Sequence, residues 1–75
     1  MSKKNQDQFL EKLRIRLIKL RKQSGLTQAS LAQIADIDRA ALANIETGNR
    51  RPTVTTLYKI SVALKIKIED VFKGL

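Results

Sequence analysis

Residues 26–52 read LTQASLAQIADIDRAALANIETGNRRP, a pattern that two short helices and a tight turn account for. Thr27 has the side-chain oxygen that a helix N-cap needs. Behind it, QASLAQIA supplies Leu31, Ala32 and Ile34 as apolar residues and reads as a helix over about 28–35. Asp36 stands where the chain must reverse, and aspartate enters the left-handed region more readily than most non-glycine residues. Asp38 reads as the next cap, and RAALANIE as a helix over about 39–46. With Leu42 and Ile45 inward, Ala40, Ala43, Asn44 and Thr47 point outward, and Arg39 lies on the flank near the N-terminus. Gly48 and Pro52 mark a loop that carries Asn49, Arg50 and Arg51.

Working outward, FLEKLRIRLIKLRKQ spaces Phe9, Leu10, Leu13, Leu17 and Leu20 for a helix over about 8–23, stopped by Gly25. Residues 1–6 are polar and are expected to fray. Thr53 caps a fourth helix, about 54–64, with Val54, Leu57, Ile60 and Leu64 as core positions. Leu64, Ile66 and Ile68 alternate as a strand would, but a lone strand has no partner. A turn into a fifth helix over about 68–73 is the better reading. The fold class is therefore all-α: a compact five-helix domain over 1–75 with a central helix-turn-helix at about 27–47. The second helix of such a unit enters the DNA major groove.

Charge agrees with that reading. The chain has 75 residues, 15 basic and 7 acidic, for a formal charge of +8. Such an excess suits nucleic acid, an acidic membrane surface or an acidic protein partner. It is uneven: residues 1–25 carry 8 − 2 = +6, residues 26–52 carry 3 − 3 = 0, and residues 53–75 carry 4 − 2 = +2. Specificity in the central segment must therefore come from shape and individual contacts. There is no cysteine, which excludes disulfides and thiolate metal sites, and no histidine, the commonest general base. Asp36 with Asp38 and Glu69 with Asp70 fall at a turn, a cap and a first helical turn, where carboxylates are favoured for dipole reasons. No catalytic residue, metal site or cofactor is read from them. No apolar run approaches the ~18–20 residues of a membrane span, and MSKKNQDQ lacks a signal peptide's apolar core. The expectation is a cytoplasmic chain with no membrane partner and no small-molecule effector.

Leu26, Thr27, Gln28, Leu31, Ala32, Ile37, Leu42, Glu46, Gly48 and Pro52 all fall in the register of the phage lambda repressor and Cro-type (XRE-like) family, which this chain resembles. LYKISVALKIKIEDVF is similar to that family's following helices, so the resemblance covers about residues 10–73. Two positions depart from its pattern: Asp36 and Lys65 stand where glycine is usual. Within the family, the IDRAALANIE stretch looks most like restriction-modification controller proteins, whose recognition helix often follows an Asp-Arg pair.

The resemblance implies roles. Arg21 and Glu46 match an internal ion pair between the first and third helices. Arg39, Ala40 and Asn44 match base-reading positions, with Ala43 beside them. Arg39 suits guanine O6 and N7, Asn44 suits adenine N6 and N7, and the alanines suit thymine methyls. Gln28, Asn49, Arg50 and Arg51, with Thr27 and Thr47, are expected on phosphates, which position the protein without reading sequence. Ile66, Ile68, Val71, Phe72 and Leu75 are expected to form a homodimer interface, so that double-stranded DNA is read as a pseudo-palindrome with half-sites about 34 Å apart. With no room for a sensor domain, concentration-driven dimerisation is the simplest control. Two other readings stand beside this one. One is an antitoxin-type regulator whose main partner is a toxin protein. The other is a basic amphipathic first helix that binds a membrane or partner. Ile15 and Ile18 are left open between the core's edge and the dimer interface.

Overall fold

The computed structural model describes residues 3–75, which form five helices: α1 (Lys3–Gln23), α2 (Gln28–Ala35), α3 (Arg39–Thr47), α4 (Val54–Ala63) and α5 (Ile68–Val71). There is no strand among the described residues. Each boundary has a local cause. Thr27 Oγ1 accepts from the Ser30 N–H at 3.1 Å, and Ser30 Oγ accepts from the Thr27 N–H at 2.9 Å, a reciprocal box at the start of α2. Thr53 Oγ1 caps α4 by accepting from the Thr56 N–H at 3.1 Å. Asp36 ends α2 in the left-handed conformation (φ 57°), as its place in the turn requires.

Several expectations are corrected. Lys3, Lys4, Asn5 and Gln6 are helical rather than frayed; residues 1 and 2 lie outside the described residues. An established helix propagates easily through lysine and glutamine, and an exposed extension needs no apolar residue to mark it. Asp38 occupies the N-cap position of α3, but its side chain makes no capping hydrogen bond. Val54 is 75% exposed, because it opens α4 at the edge of the buried stripe. α5 stops at Val71: the following Phe72, Lys73 and Leu75 N–H groups bond three residues back, which tightens the chain into turns.

One core joins all five helices. Leu13 and Leu17 from α1, Leu31 and Ala32 from α2, Leu42 and Ile45 from α3, Leu57 and Ile60 from α4, Leu64, and Val71 from α5 are buried together. α2 packs on both α3 and α4, while α1 bridges α3 and α5. Of the apolar stripe of α1, Leu13 and Leu17 are inside the bundle and Leu20 packs against it, while Phe9 stays exposed.

Lys65 is the second non-glycine residue with positive φ (60°). Its Cβ is crowded in that region, a strain of roughly 1 kcal/mol or more. Lys65→Gly should therefore raise stability by about 1 kcal/mol despite the added freedom of the unfolded chain. Urea denaturation checks this, and a midpoint that falls would show that the turn is unstrained.

Candidate nucleic-acid interface

α3 is held in place through Glu46, a carboxylate only 4% exposed. Arg21 of α1 meets it with two nitrogens: Nε donates to Oε2 at 2.7 Å and Nη2 to Oε1 at 3.0 Å. Gln28, the first residue of α2, donates from Nε2 to the same Oε1 at 3.0 Å. The remaining Arg21 nitrogen, Nη1, donates to the Leu26 carbonyl at 2.8 Å, just before the α2 cap. One guanidinium thus fixes α1, the entry to α2, and α3 together. A bidentate arginine is suited to this because its donors form a rigid fork.

A second arginine grips the same residue from its backbone side. Arg14 Nη1 donates to the Glu46 carbonyl at 2.9 Å. Arg14 also bonds Glu11, and these hydrogen bonds hold the Glu11 carboxyl below its ordinary pKa and raise that of Arg14. Gly48 closes α3 at φ 85°, a conformation that favours glycine; a Cβ there would stand 3.4 Å from Arg14 Cδ, an ordinary contact with a flexible side chain. Beyond it, the Asn49 and Arg50 N–H groups both donate to the Asn44 carbonyl, at 2.9 and 3.1 Å. The loop is stitched to the last turn of the helix.

Around this anchor the polar side chains face solvent. Arg39, Ala40 and Asn44 are exposed and Ala43 is half-buried. Five positions separate Arg39 from Asn44, about 7.5 Å along the helix axis. Thr47, Asn49, Arg50 and Arg51 are exposed at the far end, with the Thr47 hydroxyl donating to the Asn44 carbonyl at 3.2 Å. Thr27 is exposed at the start of α2, and Gln28 beside it is half-buried with its amide turned to Glu46. Sequence reasoning missed Arg14 and this use of Gln28. The signal for Arg14 was its place one heptad before Arg21, which puts both on the same side of α1.

At the other end of the bundle, Val71 is fully buried at 0% exposure, which corrects its assignment to a dimer surface: it is core. Ile66, Ile68 and Leu75 are half-buried against that core, and Phe72 is exposed. Val54, Tyr58 and Val62 are also exposed, and their four-residue spacing lines them along one side of α4. No group of three metal-ligating side chains exists among the described residues, and no helix there is long and apolar enough to cross a membrane.

A solvent-facing helix braced by a buried ion pair and preceded by a tight left-handed turn defines a helix-turn-helix protein. A family model of that description matches residues 17–71, and the chain belongs to that family. Control protein C.MunI of Mycoplasma sp is 38% identical over 61 residues, 80% of this chain and 82% of that protein. The HTH-type transcriptional regulator YqaE of Bacillus subtilis is 40% identical over 58 residues, 77% of this chain and 50% of that protein. The crystal structure of the restriction-modification controller protein C.AhdI from Aeromonas hydrophila superposes with a TM-score of 0.80 at 33% identity, covering 84% of this chain and 96% of that one. The controller protein C.Esp1396I gives 0.81 at 29% identity, covering 87% and 86%.

Breaking the pair from one side strands a buried charge. Glu46→Ala should cost about 3–5 kcal/mol, and Arg21→Ala nearly as much. The double variant should lose less than the sum of the two, as coupled sites do. Simple additivity in denaturant titrations would mean that the two side chains act independently.

Proposed function

We propose that this chain is a homodimeric, sequence-specific DNA-binding transcription regulator of the controller-protein type, acting in the cytoplasm without enzymatic activity. The observation that carries this is the outward face of α3. Two polar side chains, Arg39 and Asn44, stand exposed among alanines on a helix that Glu46 locks to both of its neighbours. Small residues let the helix backbone lie close to base edges. Arg39 reads guanine and Asn44 reads adenine, each worth roughly 1–3 kcal/mol of discrimination, while Ala40 and Ala43 meet thymine methyls. DNA shape carries further specificity at positions no side chain touches.

Thr27, Thr47, Asn49, Arg50 and Arg51 set the register by binding phosphates. Gln28 joins them with its second N–H, since an amide has two and only one goes to Glu46. The second half-site is read by a second copy, packed through Ile66, Ile68, Phe72 and Leu75, with the apolar side of α4 beside them. The relatives named as controller proteins favour regulation of restriction and modification genes for this chain too.

Selection from a random DNA pool at two salt concentrations tests the reading. One pseudo-palindrome should be recovered, and Arg39→Ala and Asn44→Ala should each relax a different position within the half-site. Recovery of no motif, with affinity that collapses as salt rises, would reduce the binding to charge alone. Phe72→Glu should weaken self-association and steepen the dependence of DNA binding on protein concentration; a monomer-dimer balance unchanged in sedimentation would move the interface elsewhere.

A further inference from the structure

The outer face of α1 has no part in that scheme. Ile15 lies opposite the stripe of Leu13, Leu17 and Leu20 on the helix and is 52% exposed. Ile18, half-buried, is its neighbour one turn on. The two isoleucines floor a shallow depression completed by Lys19, Lys22 and Gln23. Lys12 lies on the same side, one turn before Ile15. Among the described residues none of these three lysines makes an ion pair, and the nearest acid on α1, Glu11, is taken by Arg14. α1 packs on α3 and α5, and Ile15 lies across the helix from the Leu13 and Leu17 side chains buried in that packing.

We propose that this face docks an acidic amphipathic helix of a protein partner while α3 holds DNA. An isoleucine pair ringed by uncompensated lysines is complementary to apolar side chains spaced at one helical turn with carboxylates on either side. Charge favours that occupant, since Lys12, Lys19 and Lys22 surround the isoleucines and none of them is ion-paired among the described residues. Phosphates alone would answer the lysines and leave the isoleucines bare. A lipid surface would need a wide apolar face to anchor the helix, and Leu13, Leu17 and Leu20 of α1 are committed to the core. The proposal rests on the DNA-binding reading only for the simultaneous use of both surfaces.

The test uses the full chain, isotopically labelled, free and bound to its selected DNA duplex. The probe is a synthetic helix with leucines on one face and glutamates flanking them. Its addition should shift the amide resonances of Ile15, Ile18, Lys19 and Lys22 in both states. Ile15→Gln and Lys19→Glu, both at exposed positions, should each weaken the peptide about tenfold, equivalent to about 1.4 kcal/mol. DNA affinity should stay within about twofold, as expected for a surface charge far from the duplex. A lysine-for-glutamate version of the peptide should not bind. The proposal is overturned if the acidic peptide fails to bind, or if it shifts α3 and the following loop and is displaced by DNA. It is also overturned if vesicles of phosphatidylserine and phosphatidylcholine deplete the chain from solution in an Ile15-dependent way. Failure of the DNA reading registers separately, as a selection without a motif while the α1 shifts persist.

Discussion

The carboxylate of Glu46 is the constraint on which the rest of this structure depends. α2 and α3 are eight and nine residues long, too short to be stable as isolated helices, so their geometry must come from tertiary contact. Leu42 and Ile45 bury one side of α3, but apolar packing alone tolerates small slides and rotations. A buried charge does not. It requires all its hydrogen bonds at once, and Arg21 and Gln28 satisfy it in only one arrangement of α1, α2 and α3. Compared with an apolar replacement such a pair adds little stability; what it contributes is one specified geometry.

That geometry extends outward by backbone contact. Arg14 holds the Glu46 carbonyl, the Asn44 carbonyl receives the first two N–H groups of the loop, and Gly48 makes the turn between them. The exposed basic residues of the loop therefore share a rigid base with the exposed residues of α3. Side chains mounted on such a base need little reorganisation to meet a ligand, because the position of each is set beforehand.

Much of this was legible in the sequence, and the exceptions have physical causes. Helical spacing of leucines located the core of α1 because burial imposes a period. It was silent over Lys3–Gln6, where nothing is buried and only propensity and continuity keep the helix going. Val54 has the right spacing from Leu57 for a core position, yet a residue in the first turn has fewer neighbours to cover it. Asp36 and Lys65 stood out as substitutes for glycine, and both adopt the positive φ that glycine would favour. The pairing of Arg21 with Glu46 came from family register rather than from spacing, since 25 positions separate them. The inward turn of the Gln28 amide and the reach of Arg14 depend on which partner lies across the bundle, and one strand of sequence does not record that. From sequence Val71 reads as a surface residue because a short C-terminal helix offers several apolar side chains, and only packing distinguishes the covered one from the open ones.

The anchoring of α3 is lopsided. Its C-terminal half carries Ile45, Glu46, both arginine contacts and the stitched loop, whereas its N-terminal end begins at Asp38 with no side-chain cap. The polar anchors are concentrated at the loop end of the helix, while burial of Leu42 secures its N-terminal half. Adjustment on contact with a ligand is therefore least costly at the Arg39 end, where the fewest hydrogen bonds have to change.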